Sequence, residues 1–243
     1  MKNIEFKNVS KYYNLYSAVK DFSLAVEKGE RLAILGHSGS GKTTVLRLLA
    51  GFIAPDSGTI LIDDKVVASD GRIIKEPEMR NLGMVFQDLA LWPHLTVKGN
   101  MEFGLKARGI PAEEREKRIN DILQMTQMEK YIHVKPAELS GGQQQRVAFA
   151  RALVLHPEAL LMDEPLSNLD FELNLRLTKE IINLQKNMGF TLLYVTHSLQ
   201  EAFAIATRVV VMKEGMVVRE GTVKEVKSYF NEKFGHDIDR SEA

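Results

Sequence analysis

Cysteine is absent from this chain, which excludes a disulfide framework, a thiolate metal site and a cysteine nucleophile. Net charge is absent as well. The 32 Lys+Arg balance the 32 Asp+Glu, so no global field draws the protein to nucleic acid. No window approaches the roughly 18 consecutive apolar residues that a membrane-spanning helix needs. The opening residues, Met1-Lys2-Asn3-Ile4-Glu5-Phe6, lack the apolar core of a secretory signal. Tryptophan occurs once, at Trp92. What is present is a 243-residue chain, 44% hydrophobic, enough for a proper core and a small subdomain.

The most informative stretch is Gly36-His37-Ser38-Gly39-Ser40-Gly41-Lys42-Thr43, which matches the phosphate-loop pattern G-x-x-x-x-G-K-[ST]. A short apolar strand, Leu32-Ala33-Ile34-Leu35, precedes it, and a helical pattern over 44–50 follows. Glycines let the backbone curl until successive N–H groups face phosphate oxygens, and the helix adds its positive end. Lys42 is then placed for the β- and γ-phosphates and the Thr43 hydroxyl for Mg²⁺. The candidate nucleotide contacts are residues 36–43 with Thr44. The chain reads as a binder of a nucleoside triphosphate.

The first sixty residues are β-rich. Ile4, Phe6 and Val9 mark one strand, and Phe22, Leu24 and Val26 alternate as in a half-buried one. Residues 59–62 and 66–67 predict a hairpin around Asp63-Asp64, and the polar stretch 69–78 predicts an exposed insertion. From about 100 to 130 the pattern is helical, with Ile119, Ile122, Leu123 and Thr126 on one face. Beyond Ala159, apolar strands (160–162, 192–195, 209–212) alternate with helices, which predicts a mainly parallel sheet covered on both faces. The expected fold is α/β: a P-loop NTPase core with an antiparallel β subdomain and an inserted helical subdomain. The core is expected over 1–87 and 157–230, the helical subdomain over about 88–156, and a tail from 231 to 243.

Asp163-Glu164 ends the apolar strand that begins at Ala159. Taken alone, two such carboxylates read equally well as helix caps. Beside a phosphate loop, the Asp joins the magnesium shell and the Glu polarises the attacking water.

Leu139-Ser140-Gly141-Gly142-Gln143, continuing as Gln144-Gln145-Arg146, stands about twenty residues earlier. It resembles the signature motif of ATP-binding-cassette (ABC) ATPases, and the rest of that family's pattern occurs in order. Gln87 resembles the loop glutamine, Ser167-Asn168-Leu169-Asp170 the D-loop, and His197 the switch histidine. Tyr13, in Lys11-Tyr12-Tyr13, resembles the aromatic that stacks on adenine, with Tyr12 as its competitor. The resemblance runs from Ile4 to about Val226.

It implies ATP and Mg²⁺ as ligands and a head-to-tail cassette dimer. Each ATP then lies between one copy's phosphate loop and the other's Ser140, Gly141, Gly142 and Gln143. Thr43, Gln87 and Asp163 would hold Mg²⁺. Glu164 would be the general base, His197 would position the water, and Asp170 would reach across to the partner.

The segment after Gln87, Asp88-Leu89-Ala90-Leu91-Trp92-Pro93-His94-Leu95-Thr96-Val97, resembles importer cassettes. This implies a permease gripped through Leu89, Leu91 and Trp92, an extracytoplasmic binding protein, and a place on the cytoplasmic face of the membrane. Leu89, Leu91 and Trp92 are apolar residues in a loop expected to be exposed, as a protein contact demands; they would otherwise pin the helical subdomain to the core. The pattern resembles cassettes of importers of polyamines, iron, sulfate, molybdate or sugars. Many of those carry a further C-terminal domain, for which a chain ending at Ala243 leaves no room. Two departures stand out: the length of the 69–78 insertion, and Ser198 where an acidic residue is common after the histidine. An exporter or lipoprotein-release cassette would share every hydrolytic motif, and a non-transport ABC ATPase is the remaining alternative.

Overall fold

The computed structural model describes residues 2–14, 16–167 and 169–234. They form two compact units, one of 1–80 with 191–243 and one of 81–190.

The first unit opens with an antiparallel sheet, built from β1 (Lys2–Tyr13), β2 (Tyr16–Glu27), β4 (Ser57–Ile62), β5 (Lys65–Ser69) and β6 (Arg72–Ile73) in the order β2-β1-β4-β5-β6. Its inner face carries Ile4, Phe6, Phe22 and Leu24, all buried. The Phe6 and Phe22 rings meet edge to face at 5.2 Å, the arrangement that aligns ring edge with ring face. Asn8, at φ 49°, marks a register shift between Phe6 and Val9, a bulge that keeps both on the buried side. The predicted β4–β5 hairpin is present. Asp63 and Asp64 both take positive φ, as a two-residue turn matched to strand twist requires.

The 69–78 stretch holds no buried residue, in keeping with an exposed insertion, yet part of it is ordered. Asp70 and Gly71 also take positive φ and turn the chain back, so Arg72 pairs with Ser69 and Ile73 with Ala68. Part of the supposed insertion is therefore an edge strand, and the Asp-Gly pair was its sequence signal.

The same unit holds β3 (Arg31–Leu35), β9 (Thr191–Thr196), β10 (Arg208–Lys213) and β11 (Met216–Thr222). β10, β3 and β9 run parallel, and β11 returns antiparallel to β10. Leu32 to Leu35 and all of β9 are buried, which is why these strands read as unbroken apolar runs. Helices α1 (Lys42–Ala50), α6 (Leu199–Ile205) and α7 (Val223–Phe234) belong here.

Arg80, 1% exposed, closes the unit's interior. Its guanidinium donates to the carbonyls of Leu48 and Leu49 at the end of α1, and to those of Val67 and Lys75. Helix-end carbonyls lack intrahelical partners, and one side chain supplies them here. Burial pushes the guanidinium down to about 10, leaving it charged at neutral pH. Arg80→Leu removes four hydrogen bonds, although the Leu48 carbonyl keeps the Gly51 N–H and the Val67 carbonyl those of Ile74 and Lys75, and is expected to cost about 2–4 kcal/mol. The midpoint of urea unfolding reads this, and a loss below about 0.5 kcal/mol would refute the capping role.

The second unit carries the parallel pair β7 (Leu82–Val85) and β8 (Ala159–Asp163), with α2 (Val97–Ala107), α3 (Ala112–Thr126), α4 (Gly141–Leu153) and α5 (Phe171–Met188). The apolar face of α3 predicted from spacing is buried at Ile119, Ile122, Leu123 and Thr126.

Candidate active site

The loop between β3 and α1 has the conformation its glycines permit. Gly39 and Gly41 stand at φ 80° and 103°, backbone that L side chains rarely adopt. A Cβ at Gly41 would lie 2.2 Å from the Ala18 carbonyl oxygen, and one at Gly36 would lie 2.4 Å from that of Met212. Lys42 is 3% exposed, and its Nζ donates to the carbonyls of Gly36 (2.7 Å) and His37 (3.1 Å). The ammonium therefore lies in the curl of its own loop. Ser40 Oγ is buried with no hydrogen-bond partner among the described residues. Thr43 and Thr44 sit in the first turn of α1, partly exposed. An unpaired hydroxyl, an enclosed cation and a helix N-terminus together form a place for anionic oxygens. Tyr16, which sequence reasoning passed over, donates its hydroxyl to the Gly39 carbonyl at 2.5 Å and ties β2 to the loop. Nothing in its neighbourhood in the sequence announced that contact.

Tyr13 and Tyr12 end β1 and are 43% and 47% exposed, so both rings remain available for stacking. Asp56 anchors this strand end, accepting from Tyr12 N (2.6 Å) and Lys11 Nζ (2.9 Å). Burial raises its carboxyl, but these donors outweigh it and hold the group below the usual carboxylate value.

His197 follows β9 and is exposed. Its loop hangs on Glu201, a buried carboxylate that accepts from Tyr194 Oη (2.9 Å) and Thr196 Oγ1 (2.7 Å). Thr196 Oγ1 in turn accepts from Ser198 N (3.0 Å). The unexpected Ser198 is the N-cap of α6, accepting from Glu201 N. Ser198-x-x-Glu201 was thus a legible capping signal, though the acid reaches back to β9 instead of closing the box.

In the second unit, β8 brings Asp163 to its end, 8% exposed. Glu164 comes next in a left-handed conformation, φ 47°. A non-glycine residue held there is a strained position of the kind that clusters at active sites. Its carbonyl accepts from Ser167 Oγ at 3.0 Å. Asp170 is the N-cap of α5, accepting from Leu173 N at 2.9 Å, so the helix-capping carboxylate is Asp170. Asn168 of the expected D-loop lies outside the described residues. Gln87 is exposed beyond β7.

Ser140 begins α4 in a capping box. Its N–H donates to Gln143 Oε1 (2.9 Å), and Gln143 N–H donates to Ser140 Oγ (3.4 Å). Beside them opens a cavity of about 350 Å³, lined by residues 140–143, Arg146, Leu173 and Arg176. A helix N-terminus flanked by two guanidiniums suits a phosphate. Arg176 was not foreseen, because only the fold brings α5 beside α4. A Cβ at Gly142 would meet the Leu173 side-chain tip at 3.1 Å, so Leu173 would have to shift by a few tenths of an ångström to admit one. Gln145 Nε2 donates to the Pro165 carbonyl at 2.6 Å, which couples α4 to the loop holding Glu164.

Leu89, Leu91 and Trp92, expected to be exposed, are half-buried. Arg151 gathers this segment by donating to the Leu89 and Ala90 carbonyls. Trp92 packs on Phe103 with ring centroids 4.6 Å apart, and Phe103 itself is 56% exposed. The loop's two left-handed residues, Leu89 and Ala90, turn these side chains partly inward.

Among the described residues, no helix is long and apolar enough to cross a membrane. Comparison with known proteins places these features. The ABC transporter family model matches residues 19–167. The spermidine/putrescine import ATP-binding protein PotA of Oleidesulfovibrio alaskensis is 45% identical over 224 residues, which is 91% of this chain and 58% of that protein. The Fe(3+) ions import ATP-binding protein FbpC of Rhizobium etli is 46% identical over 223 residues, 92% of this chain and 62% of that one. The chain thus spans about three fifths of the length of these two relatives. Among solved structures, the dimeric ATP-binding cassette MJ0796 in a post-hydrolysis state bound to ADP and Pi superposes with a TM-score of 0.79. It is 34% identical, covering 90% of this chain and 98% of that one. With its phosphate loop, its capped Ser140 helix and these matches, the chain belongs to the ABC transporter family.

Proposed function

We propose that this chain binds and hydrolyses ATP as the cassette of a membrane transporter that imports a solute. The observation that carries hydrolysis is the loop 36–43, with Lys42 enclosed and Ser40 Oγ unpaired. The import reading rests on the relatives named above.

In this reading Tyr13 stacks on adenine, and Lys42 with the loop amides offsets charge on the β- and γ-phosphates. Thr43, Gln87 and Asp163 are oxygen donors of the hard kind that Mg²⁺ prefers when phosphates supply the remaining ligands. The ion would add charge stabilisation there. Glu164 takes the proton from the attacking water, whose oxygen bonds to the γ-phosphorus as the bond from that phosphorus to the β,γ-bridging oxygen breaks and ADP leaves with its electron pair. His197 orients that water. Such chemistry depends on position and charge more than on covalent help, so each of these groups is expected to influence turnover strongly.

A second copy supplies Ser140, Gly141, Gly142 and Gln143 to the γ-phosphate, with Asp170 near the shared boundary. ATP then holds two cassettes together, and hydrolysis releases them. The Trp92–Phe103 region, within the proposed helical subdomain 88–156, is the surface offered to a permease. The cassette accordingly lies on the cytoplasmic face of the membrane, with a binding protein on the other side.

Purification of the tagged chain with ATP from the membranes of cells that make it, followed by mass spectrometry, tests the import reading. A separate multi-spanning permease and an extracytoplasmic binding protein are expected. Recovery of soluble partners alone, or of an export machine, would overturn it.

A further inference from the structure

A second cavity, about 410 Å³, lies in the first unit behind the phosphate loop. None of residues 38–43 lines it, so it is separate from the phosphate-facing curl. Its body is apolar, built from Leu35, Leu199, Val211, Val218 and the α7 rings of Tyr229 and Phe230. Apart from the Tyr229 hydroxyl, its titratable lining among the described residues is basic, His37, His197, Lys213 and Lys233, with no carboxylate among them. Glu214 stands 3.7 Å from Lys213 Nζ but does not line the space. Lys233 Nζ is held by the Tyr229 hydroxyl at 2.8 Å and lies 5.2 Å from that ring's centre. An ammonium is thus fixed at the edge of an aromatic wall. The volume is that of a small-molecule site, and few polar groups at one side of an apolar pocket set ligand orientation.

We infer that this cavity binds a small amphipathic monoanion, a carboxylate or sulfonate with an aromatic or medium-chain aliphatic body. The apolar part would lie against Phe230 and Val218 and the anionic head against Lys213 and Lys233. The same walls include Gly36 and His37, at the root of the phosphate loop, and His197. Occupancy therefore shares residues with the nucleotide site and is coupled to it. Coupling is reciprocal, so ATP alters the affinity for the anion. Only this second clause rests on the function proposed above.

The test is titration of the purified chain with 8-anilinonaphthalene-1-sulfonate, an aromatic monoanion whose fluorescence rises on leaving water. One saturable site is expected, displaced by octanoate and not by octylammonium. Val218 is 43% exposed, so Val218→Trp blocks the cavity without disturbing the core. It is expected to weaken the probe about tenfold, as is Lys233→Glu through loss of the charge-assisted contact. Wild-type affinity in both variants, or equal displacement by octylammonium, overturns the site. Should Val218→Trp lose its cooperative melt, Lys233→Glu decides alone. Saturating ATP is expected to change probe affinity about threefold, with ATP binding followed separately by a fluorescent ATP analogue. Unchanged probe affinity with ATP bound overturns the coupling. Failure of ATP itself to bind overturns the coupling and the proposed function together, and leaves the probe result standing.

Discussion

Glu164→Gln is expected to bind ATP with the affinity of the wild type and to hydrolyse it about 10²- to 10⁴-fold more slowly. The size of the effect follows from where Glu164 sits. The strained backbone at φ 47° is imposed by its surroundings, with Ser167 bonded to its carbonyl and Gln145 to that of Pro165. Glutamine keeps the shape and the backbone and loses only the capacity to take a proton. Because Glu164 is not expected to touch the nucleotide in the ground state, binding survives while the barrier rises. Single-turnover phosphate release and equilibrium ATP binding, measured side by side, separate the two. Gel filtration in ATP should then show a trapped dimer. Turnover within about threefold of the wild type would remove Glu164 from the role of base. A monomeric profile in ATP would count against the ATP-held pair.

Ser140→Arg is expected to retain ATP binding and lose turnover by about 10²-fold or more, the scale of removing a preorganised donor to a developing phosphate charge. The two effects divide because Ser140 and Lys42 stand at the starts of different helices, α4 and α1. If each nucleotide is shared between copies, the signature end matters only for the partner's ATP. Ser140 is exposed, so the longer side chain finds room, and the lost cap alone costs about 1 kcal/mol of stability. Ser140→Ala isolates that cost. Mixing Ser140→Arg with Lys42→Ala provides the sharper measurement. A mixed dimer holds one site with both halves whole, so phosphate release should return when two inactive preparations are combined. A Ser140→Arg protein that turns over at the wild-type rate, or a mixture that stays inactive, would remove the shared site.

Local rules made much of this legible. The phosphate loop was readable because Gly36, Gly39 and Gly41 meet backbone requirements that other residues cannot, a demand written at fixed spacing. The Asp63-Asp64 hairpin and the buried strands were readable because turn chemistry and apolar runs act over a few residues. The membership of the family was legible through order: Gln87 or His197 alone carries little, and the set in sequence carries a great deal.

Other contacts join residues far apart in the chain, or far enough that spacing gives no hint. Tyr16 on Gly39, Arg80 across Leu48, Leu49 and Val67, and Arg176 beside Ser140 exist only once strands and helices have packed. The half-burial of Leu89, Leu91 and Trp92 was misjudged for the same reason, since Arg151, some sixty residues on, gathers their loop. Backbone needs and motif spacing are local, so the sequence by itself determined the α/β class, the phosphate loop and the family. Burial and hydrogen-bond satisfaction are collective, so only the tertiary structure decided that Asp170 caps α5, that Glu201 steadies the His197 loop, and that a cationic apolar cavity lies behind Gly36.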